Sequence, residues 1–516
     1  MALFKKFASV GGATMASRVL GFVREMLIAA FLGTGPVADA FYAALRFPNL
    51  FRRLFAEGAF NAAFIPLFAK RLEESETSAK QFAAEVFSVL LVILLAISAL
   101  AIAFMPWLVG TIVAPKFVTN PDKFELTILL TRIMFPYLAA MSLVAMLAGI
   151  LNSLRKYFLA ALAPVLLNVV LILALSISAA LSFDANQIGI ALAISVTISG
   201  VLQFGLLLWA TKREGFVPNW QMPRLTPPVK RLLWLALPAA ITGGITQINL
   251  IVGQIIASAQ DGAIAIINYA DRLMQLPLGV IGIAIGVVLL PELSRALKAS
   301  KKEEVMALQN KSLEFALLLT LPSAVGLGLL AKPIVVLLFE RGAFDRTATD
   351  VTSAVLAIFV IGLPAFVISK VFTPSYYVRE NMRWPMWCSA ASVAANIIGS
   401  LILFPTYGVI GIAVATAISG WINAIMLMIP LIQQKHYVIA PVTLKRVIAI
   451  IAASLAMAAI LYAANMLISD ILINAAFLIQ LISLLAVIAA AAISYFGIVI
   501  IFAGYSLKDI KGAFKR

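Results

Sequence analysis

Long stretches without a single charged side chain recur along this chain, and they constrain its fold more than any other feature. Val447 to Ile468 is one and Ile471 to Ile501 is another, apart from Asp470 between them. A run of about 20 apolar residues is the length a helix needs to cross a bilayer. Only 12% of the residues are charged and 63% are hydrophobic, with a mean hydropathy of +1.04. Ordinary soluble domains carry about 25% charged residues, so this composition reads as an all-α integral membrane protein. The start, Met1 to Lys6, is not followed by a small-residue cleavage site, and it is expected to be a mature cytoplasmic end rather than a removable signal peptide.

The net charge of +16 does not point to nucleic acid, because the basic residues form no single stripe. They fall in short clusters between apolar spans, as loops do in membrane proteins. Cys388 and His436 are the only residues of their kinds, which excludes disulfides and Cys/His metal sites. His436 sits in the polar turn after Gln433 and Gln434 and is expected to be a solvated loop histidine, while Cys388 is expected to be packing. No cofactor and no metal is expected.

A window of about 20 residues predicts fourteen spans, at roughly 7–33, 36–69, 83–113, 125–152, 158–182, 187–211, 230–259, 264–296, 310–339, 350–378, 384–404, 408–433, 443–467 and 472–504. An even count places both termini on one side. With the N-terminus inside, the cytoplasmic connectors hold Lys70, Arg71, Arg155, Lys156, Lys212, Arg213, Arg295, Lys298, Arg379 and Arg383, whereas the opposite ones hold only a few cations such as Lys116, Lys123, Arg341 and Arg346. The positive-inside rule then puts both ends in the cytoplasm.

An internal repeat is visible at an offset of about 228 residues, where Pro136 matches Pro364, Arg155 matches Arg383 and Asn168 matches Asn396. Ser199-Gly200 matches Ser419-Gly420 at a slightly shorter offset, and Arg46-Phe47-Pro48 leading to Pro66 parallels Met274 to Pro277 leading to Pro291. Six spans per copy make the copies parallel, related by an axis along the membrane normal, which is a transporter signature. The expected organisation is an N-terminal lobe at 1–224, a C-terminal lobe at 225–440 and two additional helices at 441–516.

The chemistry lies in the first two spans, which hold Arg18, Arg24, Arg46, Arg52 and Arg53 against Glu25, Asp39 and Glu57. Each arginine at a bilayer centre costs about 2.5–3.5 kcal/mol on insertion scales, so such residues face a bundle interior or a hydrated cavity and handle a substrate. Arg18 and Arg24 are six residues apart, roughly 120° around a straight helix, and Gly21 is expected to relax the helix so that both reach one cavity. Arg53 and Glu57 are four apart and are expected to pair, leaving Arg52 for the ligand. In the second half Asp271 and Arg272 open the corresponding span. A guanidinium fork suits phosphate, so the expected ligand is an anion held inside the membrane by the embedded set of Arg18, Arg24, Arg46, Arg52, Arg53 and Arg272, offset by Glu25, Asp39, Glu57 and Asp271, with Glu57 and Asp39 expected to compete with the ligand or lock a gate.

These residues resemble a known family. Ser17 to Arg24, Ala38-Asp39-Ala40-Phe41, Phe47 to Arg53 with Ala56 to Phe60, and Tyr269 to Leu273 look like the lipid II flippases of the MurJ (MviN) type, within the multidrug/oligosaccharidyl-lipid/polysaccharide exporter superfamily. The resemblance covers essentially the whole chain. It implies a bacterial cytoplasmic (inner) membrane protein with two six-helix lobes and a C-terminal helix pair. The function it implies is to move lipid II, the undecaprenyl-pyrophosphate-linked disaccharide pentapeptide, from the inner to the outer leaflet for peptidoglycan synthesis. It further implies that the arginines matching Arg18, Arg24, Arg52 and Arg272 line a central cavity, that Asp39 matters, and that the last two helices form a groove for the lipid tail. Membrane lipids and the cell-wall synthesis machinery are the partners it implies.

No Gly-x-x-x-x-Gly-Lys-Ser/Thr run is present, so ATP hydrolysis is not expected. Asn396 and Thr416 match part of a sodium site known in some members of the family, but the seventh and eleventh spans offer no carboxylate to complete it, so the membrane potential is the simpler driver. Two other readings compete. An exporter of drugs or other lipid-linked sugars would belong to the same superfamily, but a cationic-drug exporter calls for buried carboxylates. A membrane glycosyl-lipid enzyme calls for an acidic metal motif or a catalytic base on a sizeable loop.

Overall fold

The computed structural model describes residues 2–53, 60–299 and 301–503. Among them every regular element is helical. The chain divides into two compact units, one of residues 1–265 with 342–344 and one of residues 266–341 with 345–516.

The first unit holds α1 (Ala2–Leu32), α2 (Pro36–Arg52), α3 (Phe60–Glu74), α4 (Glu76–Ala103), α5 (Met105–Leu108), α6 (Pro121–Met134), α7 (Pro136–Ser153), α8 (Phe158–Ala180), α9 (Ala185–Arg213) and α10 (Pro227–Ala257). Within it α8 packs against α1 and α9, and α7 packs against α3, α4 and α9. The helix starts follow local chemistry. Ser75, Asn120 and Asp184 cap α4, α6 and α9 with side-chain oxygens that accept from backbone N–H groups three residues on, satisfying donors that have no partner inside the helix.

The second unit holds most of α11 (Ala263–Lys298), then α12 (Lys302–Leu329), α13 (Ala331–Phe339), α14 (Arg346–Phe359), α15 (Leu363–Tyr377), α16 (Arg383–Tyr407), α17 (Val409–Gln433), α18 (Pro441–Asn474) and α19 (Phe477–Ala503). Here α16 packs on α17, α12 on α15 and α18, and α18 on α19. Buried Glu314 of α12 accepts from Thr443 Oγ1 at 2.6 Å and from Arg446 at 3.0 Å, fastening the start of α18.

Ten stretches of described helix are long and apolar enough to cross a membrane: α4, α6 with α7, α8, α9, α12, α14 with α15, α16, α17, α18 and α19. They coincide with ten of the fourteen expected spans, so the chain is a multi-pass membrane protein. The other four, at 7–33, 36–69, 230–259 and 264–296, fall on α1, α2 with α3, α10 and α11. Of these, α1 carries Arg18, Arg24 and Glu25 within its apolar stretch, whereas residues 273–290 of α11 hold no charged side chain. The span expected at 36–69 takes in α2 and α3, with residues 54–59 between them outside the described residues.

The sequence repeat has a structural counterpart in each unit. Pro136 separates α6 from α7, and Pro364 stands at the α14–α15 junction. Proline withholds an N–H and interrupts the helix ladder. Beside each proline, a carbonyl three residues earlier accepts from a neighbouring helix: Ile133 O from Thr197 of α9 at 2.5 Å, and Ile361 O from the Trp421 indole of α17 at 3.0 Å. Gly200 and Gly420 serve the same junctions. A Cβ on Gly200 would lie 2.8 Å from the Tyr137 ring, and one on Gly420 would lie 2.7 Å from the Phe366 ring. Small residues let membrane helices approach this closely.

Candidate functional site

The arginines of α1 do not share one environment. Arg24 is buried, at 7% exposure, whereas Arg18 is half-buried and makes no hydrogen bond or ion pair among the described residues. The guanidinium of Arg24 is forked between two acceptors. One terminal nitrogen donates to Asn168 Oδ1 at 3.0 Å, and the other pairs closely with Glu25 Oε1. Glu25 Oε2 in turn accepts from the Tyr42 hydroxyl of α2 at 2.6 Å. The orientation of Asn168 is fixed from its other end, where Nδ2 donates to Ser17 O at 2.8 Å.

This arrangement revises the expected role of Gly21. The helix α1 runs through Gly21 as one element, and a Cβ there would stand 3.5 Å from the Asn168 amide. The glycine therefore lies at the approach of α8 to α1, the contact that brings Asn168 to Arg24. The local charge also changes meaning, because Glu25 pairs with Arg24, while Arg18 has no such partner among the described residues. Arg24 Nε is buried with no hydrogen-bond partner among the described residues. A buried donor left unmet costs about 1–3 kcal/mol, so the fork retains capacity for an anionic oxygen.

Asp39 lies elsewhere. It is fully buried in the first turn of α2 and accepts from Lys123 Nζ at 2.8 Å, from Gly262 N at 2.7 Å and from Ala265 N at 3.0 Å. Its cation is thus a lysine rather than one of the arginines. Lys123 had counted as a loop charge in the sequence, yet it is only 3% exposed. It also binds Asp261 Oδ1 at 2.9 Å and stands 4.1 Å from the Phe117 ring centroid. The two backbone donors stand just before and within the first turn of α11, where N–H groups lack helical partners and a carboxylate is favoured. Gly262 makes the turn possible. Its φ is +77°, and a Cβ would lie 2.7 Å from Thr34 O.

The remaining expected site residues separate into three cases. Arg53 is exposed at the end of α2. The side chain of Arg52 and the whole of Glu57, and with it the expected Arg53–Glu57 pair, lie outside the described residues. In the second unit Asp271 and Arg272 are half-buried on α11, both engaged in contacts, and Asp271 accepts closely from Gln275. No group of three or more His, Cys, Asp or Glu suited to a metal occurs among the described residues. Thr416 donates to Asn396 Oδ1 at 3.3 Å, which joins the two residues named for a partial sodium site. Cys388 is buried as expected. His436 is half-buried rather than solvated, and its carbonyl lies 3.5 Å from Arg379 Nη2. Partial burial and the charges of Arg379 and Lys302 hold the imidazole pKa below its usual value.

Three residues of these clusters escaped the sequence reading: Tyr42, Lys123 and Asp261. Asn168 had been noticed only as half of a repeated pair. The available signal was an amide alone in an apolar span, since a buried polar side chain requires a partner.

Residues 28–503 match the family model described as lipid II flippase MurJ. A probable lipid II flippase MurJ of Rhizobium meliloti is 49% identical over 100% of this chain and 97% of its own length. One of Rhizobium tropici is 51% identical over 89% and 87%. Among solved structures, a lipid II flippase MurJ in an inward closed conformation superposes with a TM-score of 0.78 at 28% identity, covering 95% of this chain and 99% of that one. A MATE family multidrug transporter in an inward-facing conformation, at 16% identity and a TM-score of 0.67, shares the fold over 83% and 97%.

Proposed function

The chain belongs to the MurJ family and is a lipid II flippase, and from that premise we propose how its residues carry the substrate. The pyrophosphate of lipid II cannot enter hydrocarbon unaided, because an ionised group costs many kcal/mol to desolvate. Arg18, Arg24 and Arg52 of the first unit are the proposed grip, with Arg272 the candidate from the second. The observation that carries this reading is the state of Arg24: buried, forked between Asn168 and Glu25, with Nε still lacking an acceptor among the described residues. A diphosphate displaces Glu25 from the fork, and Glu25 falls back on Tyr42. When Glu25 returns, the substrate is released. The carboxylate is thus a competitor that keeps a cationic site from binding its cargo too tightly to let go.

The helices α1, α2 with α3, α10 and α11 are proposed as the four further crossings. They bring the total to fourteen, arranged as two parallel six-helix repeats plus α18 and α19, with both termini in the cytoplasm and the protein in the inner membrane. Exposed apolar side chains along α18 and α19, among them Leu455, Leu467, Ile482 and Ile493, support a groove that keeps the prenyl tail in hydrocarbon. Exposure of the arginine site alternates between the two membrane faces. The membrane potential drives a net negative head group outward, at about 2.3 kcal/mol per charge per 100 mV.

The test is depletion of the native protein with complementation by Arg18→Ala, Arg24→Ala, Arg52→Ala or Arg272→Ala, with lipid II scored by its accessibility at the outer face. Accumulation of the precursor on the cytoplasmic side is expected. Normal export by all four variants at normal abundance overturns the assignment of these residues.

A further inference from the structure

The arginine site leaves unexplained a cavity of about 520 Å3 in the first unit, formed where α4 gives way to α5. Its inner lining includes Phe47 and Phe135, both buried, with ring centroids 5.8 Å apart. Its rim is formed by Leu100, Phe104 and Trp107, at 59%, 60% and 60% exposure. The lining is apolar or aromatic throughout, and the volume falls within the range of about 300–1,000 Å3 typical of small-ligand pockets.

Pro106 accounts for the notch. It offers no N–H, so the carbonyl four residues earlier, Ile102 O, has no donor within the helix. α4 therefore ends at Ala103, with Phe104 at φ −92° and ψ 16°. Arg132 of α6 supplies a donor from outside, its Nε lying 3.3 Å from Ile102 O. That bond holds an exposed guanidinium one residue away from Ala101, on the cavity wall. Arg132 has no acidic partner among the described residues, and Glu125, two turns toward the start of α6, makes no ion pair with it. An arginine on the outer face of an apolar span is costly unless its head reaches the interface or an anion.

The geometry points to a binding site for an anionic glycerophospholipid, with one acyl chain in the cavity and the phosphate on the outward-facing nitrogens of Arg132. Hydrocarbon gains little by leaving the bilayer for an equally apolar wall, so the selectivity must come from the charge. Basic pockets between membrane helices select lipid head groups in this way. Trp107 at the rim fits the headgroup level, where its amphipathic ring is favoured. The leaflet is the one on the side of the α5–α6 connection, which is the outer leaflet under the orientation proposed above. Such a lipid would brace the α4–α5 break against α6.

The full chain in phosphatidylcholine nanodiscs, doped with a photoactivatable acyl-chain analogue of either phosphatidylglycerol or phosphatidylcholine, tests this by crosslink mapping. The phosphatidylglycerol analogue is expected to label residues 97–108 and Phe135 about fivefold more than the phosphatidylcholine analogue, as one cation near a lipid phosphate provides. Arg132→Gln is expected to bring the two to parity, and Ala101→Trp, which fills the cavity and keeps the arginine, to abolish labelling by both. High salt on the unsubstituted chain, which requires no variant to fold, is expected to erode the preference. Equal labelling by the two analogues in the unsubstituted chain overturns the proposal, as does a preference that survives Arg132→Gln. Displacement of the probe by equimolar undecaprenyl phosphate also overturns it, assigning the cavity to the substrate's tail instead.

Discussion

Two buried carboxylates in the first unit, Asp39 and Glu25, each face a cation, and the difference between them separates a fastening from a switch. Asp39 accepts from Lys123 and from two backbone N–H groups, and its lysine is held further by Asp261 and the Phe117 ring. Every strong donor around Asp39 is anchored to backbone or to a buried side chain. Glu25 is bound by two side chains, Arg24 and Tyr42, and its arginine keeps a buried Nε without an acceptor. The first cluster has nothing to exchange, while the second has both a replaceable acceptor and an unused donor. Burial of an ion pair by itself predicts neither role, since pairing roughly offsets the desolvation cost.

The largest effect is therefore expected at Asp39. Asp39→Ala strands Lys123 in a buried site with only the exposed carboxylate of Asp261 and strips two N–H groups of their acceptor. Breaking one partner of a buried pair costs about 3–5 kcal/mol. A sharp fall in folded, detergent-extractable protein is the expected outcome, read by thermal-stability size-exclusion chromatography. Lys123→Met leaves Asp39 with both backbone donors and should lose less. Equal stability of Asp39→Ala and the unsubstituted protein would dissolve the contrast.

Next comes Arg24→Lys, which keeps the charge and discards the fork. Hydrogen bonds to charged groups contribute about 1.5–3 kcal/mol, which converts to a roughly 10- to 150-fold loss of lipid II export, with the melting temperature little changed. If stability falls and export per folded molecule does not, the cluster is a fastening like the one at Asp39. Asn168→Ala sharpens the same point at smaller scale. It removes one acceptor of Arg24 and should lower export by less than Arg24→Lys does. Its repeat counterpart, Asn396→Ala, removes the acceptor of Thr416 and Ser400 and touches no arginine of the proposed grip, so it should lower export less than Asn168→Ala does.

Most of the scaffold could be read from the chain itself, because bilayer thickness imposes a length and a composition that leave little ambiguity at α8, α16, α17 or α19. The paired prolines and glycines were also visible, since a helix break and a close helix crossing each demand one residue type. The spans that carry function were harder to delimit, for the charges that mark them as functional also dilute the apolar signal. Arg24 was identifiable by its cost in a membrane, but its partners were not. Asn168 is 144 residues away, and Lys123 is 84 residues from Asp39. Nothing local distinguishes a lysine that will fold inward onto a buried aspartate from one that sits in a connector.

The smallest expected effect lies outside the membrane, at His436 in the turn between α17 and α18, and it tests whether either cluster contributes to acid sensitivity near neutral pH. Burial, Arg379 and Lys302 lower its pKa in the folded chain below the ordinary 6.5. The folded state therefore binds fewer protons than the unfolded state in that window, so stability rises with pH there. The contribution is complete above about pH 6.5 and is lost as the pH falls toward the lowered value, below which the loss levels off. His436→Gln cannot take up that proton, so its melting temperature should stay flatter between pH 7.5 and 5 than that of the unsubstituted chain, with the two converging above pH 7. Should the two curves remain parallel down to pH 5, His436 is not the source of the acid sensitivity.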